Sequence, residues 1–370
     1  MTVEADIAVI GGGIAGVGVA AELAPHRSVV LLEREKELAY HTTGRSAAAF
    51  LEAYGSPEIR ALTRGGRALM EAYGAARGAP LLTRRGELLV AGPEGPAGLE
   101  ATVAEVPTLR SLTAAEAVRL CGALRESYVA GAAYDPEAAD IDVLGLHQHY
   151  LGSARRHGAT VLTGADVRTG EWREGRWRLT TGAGEVRAEI VVNAAGAWAD
   201  RIAEALGQPP VGLTPMRRTA AVIDTPDPAA ADWPLVVDAA ETFYFRPESG
   251  GLMISPADET PSEPVDARAE ELDVALAIER VNEATTLGVR SVRTTWAGLR
   301  TFAPDRNPVA GYSAPGFCWL AGQGGYGIQT AAGLSRLAAA LVLGEPVPDF
   351  LLAEGLDPAR LSPARFPTPR

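Results

Sequence analysis

Short apolar runs that end in glycine clusters mark both ends of this chain, and the segments between them switch between helical and strand periodicity. Near the N-terminus, Ile7-Ala-Val-Ile10 is a strand-length apolar run that breaks at Gly11-Gly-Gly13. It passes into Ile14-Ala15-Gly16, a helix start built of small residues. A second run, Ser28-Val-Val-Leu-Leu32, delivers Glu33. Residues 58–79 read as a helix, 81–92 as strands around a turn, 142–157 as a helix and Ala159-Thr-Val-Leu-Thr163 as a strand. Glu171 to Thr180 and Gly184 to Ala188 predict an antiparallel pair, followed by the strand Glu189-Ile-Val-Val-Asn193, which ends in Ala194-Ala195-Gly196. From about residue 205 to 305, strands alternate with Pro/Asp/Glu-rich loops, and one helix near 272–285 interrupts them. The last apolar run, Phe317-Cys-Trp-Leu-Ala321, meets Gly322-Gln-Gly324-Gly325-Tyr326-Gly327, with a helix expected to begin at Ile328. The order predicts an α/β protein. A discontinuous Rossmann-like dinucleotide domain takes residues 1–50, 140–204 and 306–370, and an α+β domain with a mostly antiparallel sheet takes 51–139 and 205–305.

The first glycine turn has the features a pyrophosphate site needs. Glycines let the backbone approach the phosphates, and a helix N-terminus offers free N–H groups and the positive end of its dipole. Glu33 stands 22 residues beyond Gly11, where a carboxylate accepts hydrogen bonds from a ribose and disfavours a 2′-phosphate. The second glycine turn is not followed by a strand ending in an acid, so it is not a second Rossmann unit. A helix behind it would aim its positive end at a ring near residues 322–327, which suits the negative charge of a reduced flavin. An ordinary core helix with a glycine-rich entry is the alternative.

Composition narrows the partners. The 370 residues are 47% hydrophobic, with mean hydropathy +0.03, net charge −12 and pI near 5.0. With no basic run, neither nucleic acid nor an anionic membrane surface is expected to bind. The apolar stretch 7–24 is broken by five glycines and preceded by Glu4 and Asp6, unlike a membrane span or a secretory signal, so a cytoplasmic location is expected. Cys121 and Cys318 predict buried thiols with no disulfide framework, and no metal site is expected: His147 and His149 would point to different faces of one helix.

Five segments together are distinctive: Gly11 to Gly16 with Glu33, Gly44-Arg45-Ser46-Ala47-Ala, Asn193-Ala-Ala-Gly-Ala-Trp198, Trp296-Ala-Gly-Leu-Arg300 and Gly324 to Gln329. The chain resembles, over nearly its whole length, the D-amino-acid oxidase family of FAD enzymes, and within it the bacterial D-arginine dehydrogenases. The resemblance implies non-covalent FAD, since no cysteine lies in Arg300-Thr-Phe-Ala-Pro-Asp305, the segment where the sarcosine oxidase branch tethers its flavin. It implies hydride transfer from the Cα of an amino acid to flavin N5, giving an imino acid that is hydrolysed, with electrons passed on to a quinone or O2. Matched positions for the cofactor are Gly11, Gly13, Ile14, Ala15, Gly16, Glu33, Arg34, Arg45, Ser46, Ala47, Val167, Ala195, Gly196, Gly324, Gly325, Tyr326, Gly327, Ile328 and Gln329. Ser46 serves equally well as a helix cap.

The same resemblance assigns the substrate side. Arg218 and Arg300, each flanked by apolar residues, match positions that clamp the substrate carboxylate, a task suited to a planar guanidinium. A structural ion pair is the alternative for each, and Arg217 is the weaker candidate. Tyr244 matches a substrate contact, although core packing suits it equally, and Tyr54 matches a loop tyrosine that shields the site. Glu87 matches the position facing a cationic side chain; a strand carboxylate paired with Arg84 or Arg85 is the competing picture. Gly325 would offer its carbonyl to the substrate amine, and Gln329 would reach flavin or substrate, or cap a helix. No dedicated catalytic acid or base is expected, as hydride loss from a neutral amine needs none. The chain departs from the D-arginine enzymes at Ala49 and Leu51, where they carry histidine and threonine. Two polar contacts are therefore missing, which leaves the substrate side chain open. A glycine- or sarcosine-type oxidase using O2, a 2-hydroxy acid dehydrogenase and a flavin-binding protein without turnover stand as alternatives.

Overall fold

A computed structural model describes residues 2–225, 227–248 and 250–366. Strand Thr2–Ile10 runs parallel to Gly184–Asn193 on one side and to Val29–Leu32 on the other, and Val29–Leu32 runs parallel to Thr160–Leu162. Buried on both faces, these strands need continuous apolar runs, which is why Val29–Leu32 is wholly buried. Phe317–Ala321 joins parallel to Gly184–Asn193, so the two glycine-rich strand ends share one strand as neighbour. Helices Ile14–Leu23, Val143–Arg156, Pro57–Arg77 and Ala331–Leu343 bury their apolar faces together over this sheet. They approach closely at glycines: a Cβ on Gly333 would stand 2.5 Å from the Leu62 carbonyl oxygen.

The expected pair at 171–188 is arranged differently. Val167–Arg173 and Arg176–Thr181 form a hairpin by themselves, and Gly184–Asn193 is one continuous strand antiparallel to the second of them. Glu174 and Gly175 both have positive φ, 52° and 78°, so the chain turns inside what the sequence pattern presents as one strand.

The second sheet is ten-stranded and mostly antiparallel. Gln323–Gly324 lies at one edge, followed by Thr294–Phe302, Thr214–Ile223, Gly251–Ser255, Tyr244–Glu248, Leu235–Asp238, Glu87–Ala91, Gly131–Asp135 and Arg110–Leu112, and the tenth, Thr260–Pro261, pairs with Thr214–Ile223. One face carries Leu88, Val90, Ala221, Ile223, Val236, Phe245 and Ile254, packed with Ala277 and Val281 of helix Glu271–Ala284. Strand alternation sends Glu87, Arg218, Tyr244 and Arg300 to the opposite face. That face covers the cavity.

The C-terminal glycine turn departs from expectation at its helix. The helix begins at Ala331, not Ile328, because Gln323–Gly324 is drawn into the edge of the ten-stranded sheet and residues 327–330 complete a turn. Thr330 N–H and its hydroxyl both donate to the Tyr326 carbonyl, at 3.0 and 2.8 Å. Both cysteines are buried thiols.

Candidate active site

The first glycine turn is built by close approach. Gly11 has φ 112°, and a Cβ there would stand 2.4 Å from the Ala194 carbonyl oxygen; one on Gly16 would stand 1.8 Å from that of Gly11. Only glycine lets the helix sit this near the strand end. Gly13 at the N-cap supplies no side-chain bond, and with the Ile14 N–H taken by Thr43, the N–H groups of Ala15 and Gly16 are left for an anion. Side chains from elsewhere hold the turn in place. Glu33 accepts from the Gly12 N–H at 2.7 Å and from the Glu35 N–H at 2.8 Å, and Thr43 accepts from the Ile14 N–H at 3.0 Å. His147 Nε2–H donates to the Gly12 carbonyl at 3.0 Å; burial lowers its pKa, the bond to Gly12 opposes this, and the neutral ring is a donor on that side. Arg34 lies over the Trp198 ring at 4.9 Å and pairs with Glu35 at 3.2 Å.

The 45–48 segment bridges the two sheets. Arg45 donates to the carbonyls of Ala267 and Ala297 and pairs with Asp266, while Ser46 Oγ accepts from the Ala48 N–H at 3.0 Å. Buried Arg246 donates to the carbonyls of Ala47, at 2.5 Å, and Ala48, at 3.3 Å, and pairs with Asp140 at 3.0 Å. Ala48 is thereby held at φ 56°. Nothing in the sequence around Arg246 marks it for this task.

Two poles, one of arginines and one a buried carboxyl group, lie on this face of the sheet. In the antiparallel pair of Thr214–Ile223 with Thr294–Phe302, Arg218 is opposite Gly298 and Met216 is opposite Arg300, so the two arginines are diagonal neighbours on one face. Arg300 is 7% exposed, donates to Glu259 at 3.0 Å and to the Tyr54 hydroxyl at 3.1 Å, and packs on the Gly325 backbone. A Cβ on Gly325 would stand 1.9 Å from the guanidinium. Arg218 donates from Nε to the Asp258 carbonyl at 2.8 Å and lies 5.9 Å from the Tyr244 ring centroid. Arg217 faces away, paired with Asp273 at 2.9 Å and with Glu270.

Glu87 forms the other pole. It is 3% exposed, and neither Arg84 nor Arg85 reaches it: Arg84 pairs with Glu137 at 2.6 Å and Arg85 with Asp140 at 2.8 Å. Burial, followed by the nearby charges of Asp135 and Glu241, pushes its pKa up to about 8. Glu241 in turn accepts from the Tyr54 hydroxyl at 3.4 Å.

A cavity of about 640 Å³ joins these parts. It is lined by Arg218, Arg300, Tyr244, Tyr54, Glu87, Gly325 and Gln329, and on the dinucleotide side by Gly13, Ile14, Ala15, Arg45, Ser46, Ala47, Gly196, Gly324, Tyr326, Gly327 and Ile328. Gly11, Gly16, Glu33, Arg34, Val167 and Ala195 lie outside that lining, and the Val167 side chain is committed to the core. Gln329 is buried, and its amide nitrogen donates to the Leu51 carbonyl at 3.1 Å and to Thr63 at 3.0 Å, so it ties down the loop that carries Tyr54. Sequence reasoning missed Thr43, Glu241, Arg246, Glu259 and Arg306, which lie in turns or loops or carry no motif. Among the described residues no group of His, Cys, Asp and Glu is arranged to hold a metal, and no helix is long and apolar enough to cross a membrane.

Residues 6–341 match the family model of the FAD dependent oxidoreductases, DAO. The chain belongs to that family. FAD is its cofactor, and the helix start beside Gly13, where the Ala15 and Gly16 N–H groups have no side-chain partner among the described residues, fits the pyrophosphate of such a dinucleotide. Among curated proteins the chain is similar to mitochondrial dimethylglycine dehydrogenase of Mus musculus, 28% identical over an alignment of 256 residues, with 61% of this chain and 28% of that protein covered. The match thus spans less than a third of that relative. Among solved structures it is similar to L-proline dehydrogenase from P. horikoshii, with a TM-score of 0.84, 22% identity and coverage of 97% of this chain and 98% of that one. It is also similar to glycine oxidase from Geobacillus kaustophilus, with a TM-score of 0.83, 23% identity and coverage of 98% and 99%. At these identities the two structures show the fold.

Proposed function

We propose that this oxidoreductase dehydrogenates D-amino acids at Cα, with a preference for cationic side chains, to imino acids that water then hydrolyses. The observation that carries this reading is the buried carboxyl group of Glu87, which has no ion-pair partner among the described residues, in the same cavity as Arg218 and Arg300. The guanidiniums bind the substrate carboxylate, and Glu87 meets a guanidinium or ammonium at the far end of the side chain. Fixing both ends limits how the α-carbon can sit, and orientation supplies a large part of the rate. Tyr54 closes over the carboxylate end through its bond with Arg300, and the Gly325 carbonyl accepts from the substrate amine. Bound FAD supplies the two-electron acceptor.

Leu51 and Ala49 both line the cavity, so apolar surface stands at the positions where this chain departs from the histidine and threonine of the D-arginine enzymes. D-methionine is therefore the neutral comparison substrate. In Glu87→Gln, kcat/KM for D-arginine and D-lysine falls by roughly ten- to hundredfold, as expected for losing a charge-assisted contact, while that for D-methionine is kept. Equal values for D-arginine in variant and wild type contradict the assignment. A glycine-type oxidase would oxidise glycine or sarcosine regardless of Glu87 and form peroxide with each turnover.

A further inference from the structure

Arg218 and Arg300 are not alone. The exposed Arg306 also lines the cavity, and all three guanidiniums meet one carboxylate, that of Glu259. The contacts are 3.4 Å from Arg218 Nη2, 3.0 Å from Arg300 Nη1, and 2.8 and 3.0 Å from Arg306 Nη2 to the two oxygens. Glu259 is not part of the cavity lining, whereas the three arginines are. Three cations this close repel one another, and one carboxylate with four acceptor sites offsets that while fixing where each fork points.

The loop that carries Glu259 is pinned on both sides. Asp258 Oδ1 accepts from the Thr219 N–H at 2.6 Å, and the Asp258 carbonyl accepts from Arg218 Nε at 2.8 Å. Arg306, whose guanidinium lies 3.8 Å from the Phe302 ring centroid, closes the outer side. With these bonds made, Arg218 Nη1 and Arg300 Nε have no hydrogen-bond partner among the described residues. Burial alone would raise the Glu259 pKa, but the bond from Arg306 and the charges of Arg300, Arg306 and Arg218 hold it below the usual range, so it stays ionised.

We propose that Glu259 is a positioning residue for the carboxylate clamp, anchored by Arg306, which turns the free N–H groups of Arg218 and Arg300 toward the carboxylate of the substrate. This rests on the clamp reading given above, and the test separates the two. The holoenzyme is titrated with 4-guanidinobutanoate, which has a carboxylate and a guanidinium but no α-amine, and with agmatine, which lacks the carboxylate. Binding is followed by calorimetry, with unfolding temperature and flavin content measured alongside. Glu259→Gln weakens 4-guanidinobutanoate by roughly tenfold or more, the scale of a charge-assisted contact, and leaves agmatine, flavin content and unfolding temperature as in wild type. Arg306→Ala moves the same affinity in the same direction by less, because its outer side is exposed to solvent. Unchanged or tighter 4-guanidinobutanoate binding in Glu259→Gln overturns the proposal, as does an equal loss for both ligands or a loss of flavin. If Arg300→Met leaves 4-guanidinobutanoate binding intact, the clamp itself is wrong, and the role of Glu259 falls with it.

Discussion

If Glu87 meets the substrate side chain as proposed, this single carboxyl group couples substrate choice to pH. Burial and the charges of Asp135 and Glu241 raise its pKa from 4.5 to about 8, so in the free protein the proton is held up to that pH. A cationic side chain favours the ionised form and must displace the proton below pH 8. The ratio of kcat/KM for D-arginine to that for D-methionine therefore rises with pH and levels off above about 8, because the ratio cancels the titration of the α-amine common to both. In Glu87→Gln the ratio is flat, and a wild-type ratio that falls between pH 6 and 8 contradicts this account. Stability has the opposite slope. The folded protein binds this proton more tightly than the unfolded chain does, so the contribution of Glu87 is lost as pH climbs from 4.5 to about 8. At this scale the sequence was partly legible. Arg218, Arg300, Tyr54 and Glu87 carry local context, and the structure brings them to one cavity. Glu259 and Arg306 could not be found that way, because a loop carboxylate meeting a loop arginine 47 positions away follows no periodicity.

Between elements, the helix pair at Gly333 links the cofactor side to the substrate side. Helix Pro57–Arg77 follows the loop of Tyr54 and packs on Ala331–Leu343, which follows the second glycine turn. Gly333→Ala sets two effects against each other. Replacing glycine inside a helix gains about 1 kcal/mol, whereas overpacking a tight contact costs about 1–3 kcal/mol. Since the added Cβ meets a backbone oxygen at 2.5 Å, which cannot rotate away, the loss is expected to win. The urea midpoint of the variant falls, and a rise would show that the helices have room to spare. Apolar runs and glycines located these elements well. They could not locate the hairpin turn at 174–175 or the helix start at Ala331, because each depends on which neighbour the backbone pairs with.

Over the whole molecule, one mixed sheet with parallel strands at its centre presents two glycine turns to a cavity, and the cavity face of the second sheet carries Arg218 and Arg300 together with Glu87. The first two parallel strands and the turn between them were legible from the N-terminal pattern, since Gly11, Gly16 and Glu33 each make a close contact there. The closure of the cavity was not, because it depends on Gln329, Arg246 and Tyr54 bonding to residues far away in sequence. The central claim is that FAD in this protein is reduced by the α-carbon of a D-amino acid held between the two arginines and Glu87. Anaerobic mixing of the holoenzyme with a panel of D-amino acids, L-amino acids and 2-hydroxy acids, followed at the visible flavin bands, tests it most directly. The account predicts rapid bleaching by D-arginine and D-lysine, slower bleaching by neutral D-amino acids and none in Arg300→Met; bleaching by hydroxy acids or L-amino acids alone would contradict it.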